Sequence, residues 1–119
     1  MAEGARVGVL VPNLFLRVGV DAAVQGSGGQ VVGLAEPASA AAAGCAIVIA
    51  DLEALGSDPA AAIRAIVATG ATVLAFGPHV QGERLAAARA AGAVAFPRSV
   101  FLQRLPELLA AVLGPAREG

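Results

Sequence analysis

Five short apolar runs, separated by stretches with helical spacing, most constrain what this chain can fold into. The clearest run, residues 45–51, is continuously apolar up to its final aspartate, as expected of a strand covered on both faces. Strands that alternate with helices indicate a parallel sheet with helical crossovers. The predicted strands are residues 6–11, 30–34, 45–51, 72–76 and 93–96.

Helix start and stop signals fall between these runs. Asp58 and Pro59 predict an N-cap and a first helical residue, Asn13 predicts a cap for the first helix, and Gly70 predicts a helix end. Helices are expected at 14–25, from 59 to about 69, and at 82–91, with a weak helix at 39–43. Pro106 either is the first residue of the last helix, after a turn at 100–104, or kinks one longer helix, and the first arrangement is favoured.

Connection rules then select a topology. Right-handed crossovers favour the strand order 2-1-3-4-5, a three-layer, doubly wound α/β fold of the flavodoxin-like type. The length of 119 residues suits one domain, predicted to span 1–119, with a core at about 6–113 and a frayed tail at 115–119.

Composition excludes several classes of function. A net charge of −1 argues against a nucleic-acid partner, and a single cysteine excludes a disulfide scaffold and a cysteine-built zinc site. Neither a signal peptide nor a strongly apolar membrane-spanning run is visible, so no membrane association and a cytoplasmic location are expected. Cys45 begins the predicted buried strand 45–51, so it is expected to pack in the core as a small apolar residue.

In such sheets, ligands bind at the carboxyl ends of the strands. The residues expected at this edge are Asn13, Asp51, Gly77, His79, Arg98 and Ser99. The simplest structural roles are a pair between Asp51 and Arg98, and a helix cap for Ser99. A hydrolytic triad of His79, Asp51 and Ser99 is rejected, because Ser99 lacks the glycine-flanked turn that exposes such nucleophiles.

Residues 47–52 and 91–93 give the sequence a resemblance to the receiver domains of two-component response regulators, over residues 6 to about 113. The resemblance makes Asp51 the possible phospho-acceptor and puts Arg98 near the position of the receiver lysine. Receivers also carry two acidic residues after strand 1, which hold a magnesium ion, and a Thr or Ser after strand 4. The matching positions here read Pro12–Asn13 and Gly77, so the chain resembles a degenerate receiver, or pseudo-receiver.

We therefore expect a signalling or protein-interaction module that is independent of phosphorylation, not an enzyme, with no catalytic residue, metal or cofactor. Its expected partner is another protein or a second copy. Receivers commonly associate through the surface of helix 4, strand 5 and helix 5. Two alternatives stay open: an active phospho-acceptor using Asp51, and a small-molecule or anion-binding protein with its pocket near His79 and Arg98.

Overall fold

A computed structural model describes residues 4–78 and 82–113 of the chain. Five parallel strands form one sheet in the order β2-β1-β3-β4-β5, which confirms the predicted fold class and strand order. The strands are β1 (Arg6–Leu10), β2 (Gln30–Gly33), β3 (Ile47–Asp51), β4 (Thr72–Gly77) and β5 (Val94–Pro97).

Helices cover both faces of the sheet. One face packs against α1 (Leu14–Gly26) and α5 (Arg98–Leu113), and these two helices also contact each other. The other face packs against α2 (Pro37–Ala42), α3 (Pro59–Val67) and α4 (Gly82–Ala90). None of the helices in the described part of the chain has the length and apolar character needed to span a membrane.

Strand β3 explains why its sequence is continuously apolar. Ile47 and Ile49 are fully buried toward α1 and α5, while Val48 and Ala50 are fully buried toward α2, α3 and α4. Burial of each large aliphatic side chain is worth about 1.5–3 kcal/mol, so this strand anchors both halves of the core. Its carboxyl end is consequently held in a fixed position.

The predicted helix caps are present. The Asn13 side chain accepts a hydrogen bond from the backbone N–H of Leu16 at 3.2 Å, and Asp58 accepts one from Ala61 at 3.1 Å, with Pro59 as the first helical residue. Gly70 adopts φ +96° after α3, a left-handed conformation that favours glycine. Local sequence signals therefore set these helix boundaries.

Every predicted strand has at least one boundary that differs from the structure by one or two residues, and the differences in β3 and β5 are informative. Strand β3 begins at Ile47, so Cys45 precedes the strand, although it is buried in the core as predicted. Strand β5 extends through Pro97, which pairs with Gly77 instead of ending the strand. β5 is an edge strand with one neighbour, where a proline that lacks an N–H is tolerated.

The favoured start of the last helix at Pro106 is also wrong, and the alternative of one longer helix is the one observed. Helix α5 runs without a break from Arg98 to Leu113 and contains Pro106 in its interior. Phe101, Leu105 and Leu109 are all buried along one side of it, so packing on both sides of Pro106 offsets the hydrogen bond that the proline removes. The predicted frayed tail at 115–119 lies outside the described residues.

Candidate functional site

The carboxyl ends of β1, β3, β4 and β5 form one edge of the sheet, here called the rim. Asp51 is the last residue of β3 and pairs in register with Phe76 of β4. Its exposed fraction is 5%, and it is the single buried charged side chain of the described residues. A carboxylate in such a place requires a specific account of what stabilises it.

The Asp51 carboxylate caps the segment that follows it. Its Oδ1 accepts a hydrogen bond from the backbone N–H of Glu53 at 3.0 Å and so begins the short 3-10 turn Leu52–Ala54. The aspartate thus has a structural role at the end of β3, whatever further chemistry it performs.

Burial raises the pKa of Asp51 above its usual value, because the carboxylate loses solvation. The Glu53 N–H and the positive charge of Arg98 act in the opposite direction, and the Glu53 carboxylate adds to the increase in the pKa. Loss of solvation outweighs the stabilising contacts. The rim therefore does not compensate the charge of Asp51 fully.

The end of β1 supplies no carboxylate. Pro12 has no ligating side chain, and the Asn13 amide oxygen is already the N-cap of α1. Both residues are exposed. The polar group expected here is present, but its oxygen is directed to the backbone of the first helical turn.

Mg²⁺, the ion that the resemblance implies, prefers an octahedral set of oxygens anchored on carboxylates. Asp51 and Glu53 are the acids at the end of β3, and they belong to one short segment. Within residues 4–78 and 82–113, no group of three His, Cys, Asp or Glu side chains is close enough to hold a metal ion. This donor set does not fit the ion.

Leu52 occupies the space above the end of β4. A Cβ added at Gly77 would lie 3.1 Å from Leu52 Cδ1, and Leu52 is fully buried. The position where a receiver carries a hydroxyl side chain is thus covered by a leucine. Sequence reasoning missed Leu52, although a large apolar residue directly after Asp51 and a glycine ending the next strand were both visible.

Arg98 does not form the predicted pair with Asp51. No ion pair within 4.0 Å joins these two described residues. Instead, the guanidinium carbon of Arg98 lies 6.0 Å from the centre of the Phe76 ring, and its Nε is buried without a hydrogen-bond partner among the described residues. Arginine above an aromatic face gains a cation–π interaction. Phe76, also missed from the sequence, therefore competes with Asp51 for this cation.

The remaining predicted residues contribute less to the described rim. Ser99 is exposed and is the second residue of α5, so the prediction that it caps this helix is wrong. His79 lies outside the described residues. The structure brings Asp51, Gly77 and Arg98 to adjoining strand ends.

No protein-family model matches this sequence, and no curated protein matches it. Solved structures do match. A response regulator from Thermotoga maritima aligns with a TM-score of 0.76 at 19% identity, covering 92% of this chain and 98% of that chain. A putative response regulator from Chloroflexus aurantiacus gives 0.77 at 14% identity, covering 93% and 98%. The chain has the fold of a response-regulator receiver domain.

One further structure with the receiver fold is informative about the rim. The receiver domain of the sensor histidine kinase PA1611 from Pseudomonas aeruginosa aligns with a TM-score of 0.74 at 19% identity, covering 93% of this chain and 98% of that one. That structure has a magnesium ion coordinated in its active-site cleft. The two chains share the fold.

Proposed function

We propose that this chain is a receiver-like signalling or protein-interaction module that works without phosphorylation of Asp51. The observation that carries the proposal is the end of β1, where Pro12 and a capping Asn13 replace the acidic pair of receivers. The described receiver fold supports a signalling role at the level of the fold.

Electrostatics give the physical reason. Phosphoryl transfer depends on cations that neutralise charge developing on the phosphoryl oxygens and the attacking group. At this rim, the Arg98 guanidinium lies over the Phe76 ring at 6.0 Å, Leu52 covers Gly77, and the raised pKa of Asp51 indicates a carboxylate whose charge is not fully compensated. A phosphoryl group on Asp51 would add negative charge where little positive charge balances it.

Glu53 favours a second candidate function, in which Asp51 is phosphorylated. Its carboxylate lies close enough to raise the pKa of Asp51, and it is exposed at the same edge of the sheet. Because these two carboxylates do not fit Mg²⁺ by themselves, phosphorylation of Asp51 would require oxygens of the phosphodonor to complete the ligand set around the cation. This candidate makes the opposite prediction in the same experiment.

The test is incubation with acetyl phosphate and Mg²⁺, followed by intact-mass measurement. We expect no mass increase, while a conventional receiver domain treated in parallel gains a phosphoryl group. A phosphoryl adduct that is lost in Asp51→Asn would overturn the proposal and support the second candidate. Loss of that adduct in Glu53→Gln, but not in Glu36→Gln on the surface before α2, would assign the cation to Glu53.

A further inference from the structure

Helix α1 exposes three large apolar side chains next to one another. The exposed fractions are 75% for Leu14, 92% for Phe15 and 70% for Val18. With Gly19 and Ala22, which follow on the same exposed side of the helix, these residues are here called the α1 patch. Isolated exposed apolar residues are ordinary, but a contiguous group of this kind marks an interaction surface.

The α1 patch contains no charge, unlike the outward sides of the other long helices. The charged residues of α1, Arg17 and Asp21, pair with each other at 3.2 Å and are only about one-third exposed. By contrast, Arg64 of α3, Glu83 of α4 and Arg104 of α5 are all exposed. Two copies of the α1 patch could therefore meet without electrostatic repulsion.

Gly19 has no role in packing within the described chain. A Cβ added there would meet nothing within 4 Å, yet glycine in a helix interior is destabilising relative to alanine. Its small size becomes useful if another surface approaches the helix closely at this point. This observation is independent of the exposure of the large side chains.

The α1 patch has large side chains at one end and small ones at the other. Leu14, Phe15 and Val18 lie toward the start of the helix, and Gly19 and Ala22 follow them. Reversal of a second, identical helix places Phe15 opposite Ala22 and Val18 opposite Gly19. Large side chains then fill the spaces left by small ones, as helix packing requires. A parallel arrangement would instead oppose large residues to large and small to small.

We propose that the α1 patch binds a second copy of this chain, with the two α1 helices antiparallel about a two-fold axis near Val18 and Gly19. The inference rests on the proposed interaction module and names its partner. Closed two-fold symmetry is the commonest form of self-association and uses the same patch on both copies. The surface differs from the α4–β5–α5 surface expected from the receiver resemblance.

The area of the patch sets the expected strength. The three large residues expose on the order of 400 Å² per copy, within the size range of the largest apolar patches on monomers. Two copies would bury about 800 Å² from these residues, below the roughly 1,200 Å² of a standard stable interface. The dimer is therefore weak and depends on concentration.

Sedimentation velocity over a concentration series tests the proposal, with no phosphodonor present so that the result is independent of the state of Asp51. The wild-type chain is expected to shift from monomer to dimer. Phe15→Glu is expected to weaken the dimer at least tenfold. Val94→Glu changes a 37% exposed valine of β5, on the alternative surface, and should leave association unchanged.

Gly19→Leu distinguishes close packing of the two helices from non-specific hydrophobic association. The substitution meets open space in the described chain and makes the patch more apolar, yet it blocks the approach of Val18 from the other copy. We expect weaker dimerisation with unchanged unfolding stability or a gain. Stronger self-association of this variant would overturn the antiparallel arrangement.

A charge-pair experiment tests the register. Phe15→Lys and Ala22→Glu should each lose self-association, because each buries an unpaired charge at both ends of the interface. A mixture of the two chains should recover a heterodimer, since the introduced lysine faces the introduced glutamate at one end and Phe15 faces Ala22 at the other. A wild-type chain that stays monomeric at millimolar concentration, a Phe15→Glu chain that dimerises normally, or a mixture that stays monomeric would each overturn the proposal.

Discussion

The body of the sheet and its carboxyl rim follow different rules in this molecule. In β3, Ile47 to Ala50 are fully buried and packed by helices on both faces. One residue further along, Asp51 is a buried carboxylate with a raised pKa and no ion pair within 4.0 Å among the described residues. The body matches solved receiver structures in its fold, whereas the rim carries the residues on which the proposed independence from phosphorylation depends. The residues that determine the fold and the residues available for chemistry at the rim are therefore different, so one set can change without the other.

Two polar side chains of the rim act as caps of the backbone that follows them. Asn13 and Asp51 each direct a side-chain oxygen to a nearby backbone N–H, at 3.2 and 3.0 Å respectively. A group that caps a helix or turn is oriented by the backbone that follows it. One oxygen of each side chain is thus already used to stabilise the local backbone.

The largest expected effect is in the core where α5 packs on the body of the sheet. Phe101 is fully buried, and its ring lies 4.9 Å from that of Phe76, so Phe101→Ala removes an aromatic pair and leaves a cavity. We expect a loss of about 3–5 kcal/mol in the free energy of unfolding, measured by denaturant titration. Gln103→Ala, at an exposed position of the same helix, is the control and should change stability by less than about 0.5 kcal/mol.

This division also explains what could be predicted from the sequence. The continuous apolar run at 47–50 and the caps at Asn13 and Asp58 are local signals, so the position of β3 and the starts of α1 and α3 followed from them, while the strand order followed from general connection rules. The position of Arg98 depends on Phe76 of another strand, and the continuity of α5 through Pro106 depends on packing against the sheet. Such choices between tertiary partners leave no local pattern in the sequence.

Gly77→Thr introduces the kind of side chain that receivers carry at the end of strand 4. Its Cβ would lie 3.1 Å from Leu52 Cδ1, so the fully buried leucine must move. We expect a loss of about 1–3 kcal/mol in the free energy of unfolding. If Leu52 causes this loss, the double variant Leu52→Val, Gly77→Thr will be more stable than the sum of the single effects predicts. Strict additivity would show that Leu52 does not restrict this position.

Asn13→Ala tests whether the end of β1 has a structural role. Loss of the cap on α1 should cost about 1 kcal/mol, and Asp58→Ala should cost a similar amount at α3. Asn13→Asp keeps an acceptor in place and should be close to neutral in chemical denaturation. A cost for Asn13→Ala far below that for Asp58→Ala would show that the Asn13 oxygen is free for another role.

The smallest effect concerns the charge of Asp51. Because burial raises its pKa in the folded state above the usual 3.8, the folded chain holds this proton more tightly than the unfolded chain. The stability contributed by the protonated form is complete below the unfolded pKa and is lost as the pH rises through the folded pKa.

Asp51→Asn retains an oxygen that can accept the Glu53 N–H but carries no charge. We therefore expect Asp51→Asn to be more stable than wild type at pH 7, by less than the free energy lost in Phe101→Ala or in Gly77→Thr. This difference in stability between variant and wild type should close below the unfolded pKa. Denaturant titrations from acid to neutral pH measure this, and Asp58→Asn at an exposed cap is the matched control. A variant that is less stable than wild type at neutral pH would mean that the rim stabilises the Asp51 carboxylate, and the contrast between body and rim would then fail at the residue on which it depends most.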